Sequence, residues 1–141
     1  MQIIGFNLTK ILIERKEKPE GKLEIKQNIS IDDISKDKIN ISKDEILKIK
    51  FIFNVNYEPD FAKLELGGTL VLLPEKEELK KFLKSWKNKD KQIPEELRIP
   101  LFNFIMNKCN IKAIQLEDEL GLPLHLQNLM QRLAPKKEEG Q

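Results

Sequence analysis

The sequence predicts an α+β fold, a four-stranded antiparallel sheet with a long and a short helix packed on one face. Three observations carry that expectation. In LKIKFIFNVNYEPDFAKLELGGTLVLLP, Leu47, Ile49, Phe51, Phe53, Val55 and Tyr57 share one strand face and Ala62, Leu64, Leu66, Leu70 and Leu72 another, with Pro59-Asp60 suited to the turn between them. Two segments nearer the N-terminus alternate with the same period. Beyond Pro74 the apolar spacing changes to that of a helix.

Taken in order, Ile3, Phe6, Leu8, Ile11 and Ile13 follow a period of two that changes phase near Lys10, as a β-bulge requires. The Lys18-Pro19-Glu20-Gly21 turn leads to Leu23, Ile25, Ile29 and Ile31, a strand with one buried and one solvated face, and the two segments are expected to pair as a first hairpin. Asp32 to Asp44 has two readings: Ile34, Ile39 and Ile41 extend the strand, or Ser42 with Glu45 caps a short helical turn. The stretch from Leu47 to Pro74 is the second hairpin. Its Gly67-Gly68 pair signals a bulge, a bend or the close approach of another backbone; a phosphate loop needs further glycines opening a helix.

In EKEELKKFLKSWKNKDK, Leu79, Phe82, Leu83 and Trp86 fall on one helical face. Its lysines are interleaved with Glu75, Glu77, Glu78 and Asp90, which favours a solvated face over an anion-binding one. Ile93-Pro94-Glu95-Glu96 starts a longer helix, with proline in the first turn and carboxylates near the positive end of the dipole. Leu97, Leu101, Ile105, Cys109, Ala113, Leu116 and Leu120 form its stripe, and Pro100 removes one backbone bond or kinks the first turns. Gly121, Leu122 and Pro123 stop it. LGLPLHLQNLMQRLAP is then an apolar tail that packs on its own sheet or swaps onto a neighbour, and 134–141 is expected to be disordered.

With 141 residues the chain suits one domain, 1–141, large enough for a core without metals or disulfides. Its 25 basic and 23 acidic residues are mixed along the chain, so the footprint of a nucleic-acid binder is missing and no nucleic-acid partner is expected. MQIIGFNLTK lacks the features of a signal peptide, and no apolar run reaches the ~20 residues that span a bilayer. A cytoplasmic protein without stable membrane insertion is the expectation.

Chemistry-bearing residues are sparse. Cys109 lies in an apolar helical pattern and reads as a small buried hydrophobe. The single histidine, His125, sits between Leu124 and Leu126, and no zinc set or Cys-His nucleophile has local spacing in its favour. Glu117, Asp118 and Glu119 fan around a helix as solvated charge. Asn103, Asn107 and Asn110 form the polar edge of the long helix, or hydrogen bond across a subunit contact. No catalytic grouping emerges, so the expectation is a protein that is not an enzyme, with no metal and no cofactor.

The segments FIFNVNYEP, AKLELGGTLVL, LFNFIMNKC and LGLPLHL, in that succession, resemble the SecB-like export chaperones over about two-thirds of the chain. The resemblance implies a homodimer or homotetramer that holds unfolded polypeptides in an apolar groove before export, without ATP. Phe51, Phe53, Tyr57, Phe61, Leu124 and Leu126 are the residues it suggests for that groove. This chain departs from the family in its short stretch after the loop and in the helix that carries Trp86. It also departs in outward Lys48, Lys50, Lys63 and Glu65, where the bacterial family presents acidic surface to a translocation motor. The alternative is a non-catalytic structural or adaptor subunit whose apolar surface is permanently closed by its own copies or one folded partner.

Overall fold

The computed structural model describes residues 2–38, 45–87 and 93–126. Alternation becomes four long strands, β1 (Gln2–Arg15), β2 (Glu24–Lys38), β3 (Glu45–Glu58) and β4 (Ala62–Leu73), followed by helices α1 (Lys76–Lys87) and α2 (Glu95–Glu119). The strands form one antiparallel sheet in the order β1-β4-β3-β2. The α+β architecture is the expected one; the pairing of its first two strands is not. β1 pairs with β4 and β2 with β3, so the β3–β4 hairpin stands between strands that sequence order suggested were partners. Burial explains the order. β3 and β4 carry the most continuous apolar faces and take the centre, while β1 and β2 carry the bulges and charges that suit an edge.

The central hairpin closes through a hydrogen bond from the Phe61 amide to the Tyr57 carbonyl (2.9 Å), with Asp60 at a φ of 44°. Its register sets Leu47 against Leu72, Ile49 against Leu70, Phe53 against Leu66 and Val55 against Leu64, all withdrawn from solvent. Phe51 has Gly68 as its partner, and its ring uses the room that the missing side chain leaves. The Phe51 ring stacks on Phe6 of β1 with centroids 5.3 Å apart, and Phe6 meets Phe104 of α2 edge-on at 5.9 Å. A side chain at Gly68 would overlap the Asn7 carbonyl and stand 2.8 Å from the Phe51 ring. Of the three readings of the glycine pair, close approach of a neighbouring backbone is the one realised at Gly68.

β1 carries two bulges, between Ile3 and Gly5 and between Leu8 and Lys10. Together they keep Ile3, Phe6, Leu8 and Ile13 against the core, although the sequence signalled only the second. β2 has one, between Ile31 and Asp33, and runs on to Lys38 with Ile34 buried. The strand-extension reading therefore holds as far as Lys38. Residues 39–44, with the Ser42 cap, and the tail 134–141 lie outside the described residues.

The helices lie on the inner face. α1 buries Leu79 and Phe82, and α2 buries Leu101, Ile105, Cys109, Ala113 and Leu116, the core of the expected stripe. α2 passes through Pro100, which is exposed, so its missing amide bond falls on the solvent side of an early turn. Its far end is a Schellman cap: Gly121 has a φ of 64°, its amide reaches the Asp118 carbonyl (3.2 Å), and the Leu122 amide reaches that of Glu117 (2.8 Å). α2 has no basic residue in its last turn. Arg15 at the end of β1 supplies the cation, donating from Nη1 to the carbonyls of Leu120 (2.8 Å) and Gly121 (3.3 Å).

The two central glycines should respond differently to alanine. Gly67→Ala meets Lys10 Cβ at 3.4 Å and the Phe51 carbonyl at 3.8 Å, both ordinary contact distances, and is expected to be near neutral. Gly68→Ala forces backbone and ring apart and should cost about 3 kcal/mol in urea unfolding. Equal midpoints for the two variants would contradict the close approach.

Candidate functional site: an apolar groove beside an edge strand

The long helix presents its side chains in rows four residues apart. Leu101, Ile105, Cys109, Ala113 and Glu117 are buried against the sheet. Ile99, Asn103, Asn107 and Ile111 form the opposite, exposed row. Between them, Arg98, Phe102 and Met106 face β2 and are half-buried. Because β2 is an edge strand, this flank has no further strand against it among the described residues.

The result is a groove in two connected parts. One, of about 270 Å³, is lined by Ile29, Ser30, Ile31, Trp86, Ile93, Arg98 and Phe102. The other, of about 440 Å³, is lined by Gln27, Asn28, Ile29, Phe102 and Met106. Ile29 and Phe102 belong to both, so the groove runs from Trp86 and Ile93 toward Met106. Its wall is unusual for an edge. Gln27 to Ile31 carries no charge, whereas Lys26 and Asp32 flank it directly. Elsewhere along the same strand three charges are paired: Lys26 with Glu58 (3.1 Å), Lys36 with Glu45 (2.9 Å) and Asp37 with Lys48 (2.8 Å). The uncharged window coincides with the groove.

A buried polar knot ties the last turns of α2 to β3 and to the loop that follows the helix. Glu117 and His125 are 0% and 4% exposed. The Glu117 carboxylate accepts from the Tyr57 hydroxyl, from the His125 amide (2.8 Å) and from the imidazole Nδ1 (2.6 Å). His125 Nε2 lies 2.7 Å from Asn110 Oδ1, and its ring meets Phe53 edge-on at 5.9 Å. Burial first, and then the hydrogen bond to Glu117, push the Tyr57 phenol well above its ordinary value. Burial pushes the Cys109 thiol up to about 12, consistent with the small hydrophobe the sequence suggested.

The suggested groove residues divide sharply. Phe51, Phe53, Tyr57 and Phe61 are at most 4% exposed, covered by the chain's own packing, so the expectation that they face a client is corrected. Leu124 and Leu126, on either side of His125, are half-buried, and neither lines the groove. Glu117 is likewise corrected from solvated charge to buried acceptor, while Asp118 and Glu119 are exposed as expected. Asn103 and Asn107 form a polar edge, but Asn110 turns inward to His125. Sequence reading missed Ile29, Ile31, Phe102 and Met106 as one surface because it paired β2 with β1. Once β2 is an edge, the neutral run between Lys26 and Asp32 is the signal.

A second concavity of about 440 Å³, under the chain crossing between β1 and β2, is lined by Lys22, Glu24, Asn56, Glu58, Asp60 and Lys63 among others. Its Glu58 and Asp60 are engaged by Lys26 and Lys16, the latter at 2.7 Å. No group of potential metal ligands occurs among the described residues, and no described helix is long and apolar enough to cross a membrane.

No protein-family model matches this chain, and no curated protein matches it. Among solved structures it is similar to a SecB-like chaperone of Mycobacterium tuberculosis in complex with a ChAD peptide from an antitoxin. The similarity covers 87% of this chain and 82% of that one, with a TM-score of 0.49 and 15% identity. At that level the likeness is one of layout.

The knot and Cys109 make alkaline stability a direct test. Unfolded, the Tyr57 and Cys109 groups ionise near 10.0 and 9.0; folded, both hold their protons to higher pH. Their contribution is therefore complete below about pH 9 and is lost as pH rises toward 12. Urea midpoints of the wild type should fall steeply above pH 9, and those of Tyr57→Phe combined with Cys109→Ala should fall less. Parallel curves would show that neither group is linked to folding.

Proposed function

We propose that this protein is a non-enzymatic holder of non-native polypeptides, a chaperone that captures extended apolar segments in the groove between β2 and the helices without nucleotide or cofactor. The observation that carries this reading is the neutral edge from Gln27 to Ile31 lying beside Ile29, Ile31, Trp86, Phe102 and Met106. An edge strand offers unpaired backbone donors and acceptors, and an adjoining groove offers places for alternate side chains. That combination suits many sequences, since backbone bonds ignore sequence and apolar burial, at about 25 cal/mol per Å², asks only for bulk. It also suits weak binding, because a client loses conformational entropy on capture. On the outer sheet face Lys48 is paired to Asp37 and Lys10 to Glu65, while Lys50 and Lys63 are exposed.

Phe102→Asp places a charge on the groove floor while leaving the buried row of α2 intact. It should weaken suppression of aggregation of a chemically unfolded model protein at least tenfold, read by light scattering without nucleotide. Ile29→Lys should act the same way from the opposite wall. Undiminished suppression by both folded variants would move the binding surface elsewhere.

Homo-oligomerisation belongs to the same proposal, and the exposed row of α2 supports it. Ile99 and Ile111 are 67% and 62% exposed, and with Asn103 and Asn107 they are spaced symmetrically about residue 105. A twofold axis there would set each isoleucine against the other copy's and each asparagine against its counterpart, as an isologous contact requires. Sedimentation should show wild-type association and a monomeric Ile99→Lys, Ile111→Lys double variant. Unaltered association of that variant would place the contact on another surface.

A further inference from the structure

We propose that the groove prefers clients carrying an aspartate or glutamate two residues from an apolar side chain, and that Arg98 holds that carboxylate. This preference rests on the reading of the groove as the client site and specifies the client's chemistry. One support is an unanswered charge. Arg98 is half-buried and lines the groove beside Trp86 and Ile93. Its guanidinium donates from Nη2 to the Ile93 carbonyl (3.3 Å), which leaves most of its N–H groups free. Among the described residues no carboxylate forms an ion pair with it: Glu95 and Glu96 of the same helical turn are exposed, and Glu96 pairs with Lys81. A guanidinium in an otherwise apolar cleft is matched by a carboxylate, whose two oxygens fit its fork.

The other support is spacing. Antiparallel strands alternate between residue pairs that exchange backbone hydrogen bonds and pairs that do not. The Tyr57 carbonyl accepts from the Phe61 amide across the hairpin turn, and the Phe51 carbonyl stands 3.8 Å from where a Cβ at Gly67 would lie. Both therefore face β4, and Phe53 and Val55, in the same alternation, face it as well. Their partners on β2, Gln27 with Val55, Ile29 with Phe53 and Ile31 with Phe51, are paired without a bulge and turn their own backbone groups to the open edge. The side chains of Gln27, Ile29 and Ile31 line the groove, and each has a counterpart on α2. Met106 shares one part of the groove with Gln27, Phe102 lies with Ile29 in both parts, and Arg98 shares the other part with Ile31. The steps agree in length, since four residues of helix rise about 6 Å and two residues of strand about 6.6 Å. An extended client bonded to the β2 edge thus meets Met106, Phe102 and Arg98 with side chains at alternate positions. The first two are apolar and the third carries the carboxylate. A C-terminal carboxylate lies in line with the backbone, against the β2 edge, whereas Arg98 stands where a side chain points.

Fluorescence anisotropy of fluorescein-labelled peptides tests the preference. Each peptide carries leucine, phenylalanine and glutamate at alternate positions of a threonine-rich strand, and the series is made in both chain directions, since a client can run either way along β2. In the better direction the glutamate peptide should bind about fivefold tighter than its glutamine counterpart, the worth of a half-exposed ion pair. Moving the glutamate by one position turns it out of the groove and should remove the gain. The preference should vanish in Arg98→Gln and pass to a lysine peptide in Arg98→Glu. Equal binding of the glutamate and glutamine peptides by the wild type overturns the carboxylate preference and leaves the client reading in place. Binding of no peptide by the folded wild type removes the client reading and the preference with it. A preference that survives in Arg98→Gln, or that ignores the position of the glutamate, also overturns the proposal.

Discussion

One buried carboxylate ties the end of α2, the loop after it and the central strand β3 together. Glu117 lies inside the protein, where an unpaired charge costs several kcal/mol, and three donors offset that cost: the Tyr57 hydroxyl and the amide and imidazole of His125. Two of the three come from a residue beyond the end of α2. The chain from Leu120 to Leu126 therefore cannot leave its position without stranding Glu117. The Schellman cap and Arg15 fix the same turn from outside, through backbone carbonyls that would otherwise lack donors. A loop of few residues is thus held at both of its faces. The position of His125 is a consequence of electrostatics several residues upstream.

An edge strand is a hazard and an instrument for the same reason, its unpaired backbone. β2 protects itself with charge and a bulge from Asp32 onward and with Lys26 on the other side, yet leaves the five residues between them neutral. Placing that gap beside Phe102 and Met106 compounds the exposure rather than relieving it. β1, the other edge, exposes Ile4 and Ile11 but has two bulges that break its regular pairing pattern.

Most of the fold was legible because its signals are periodic. The inner faces of β3 and β4, the turn at Pro59-Asp60 and the stripe from Leu101 to Leu116 all follow from spacing alone. What spacing cannot convey is which strands are neighbours, since a crossing over the sheet end and a hairpin read alike between Arg15 and Glu24. That single ambiguity hid the groove, which exists only if β2 is an edge. The knot was hidden for a different reason. Glu117 has the same composition on either side as exposed Asp118 and Glu119, and only the phase of α2, one row shared with Ala113 and Cys109, turns it inward. His125 offered no pattern until Glu117 was known to be buried.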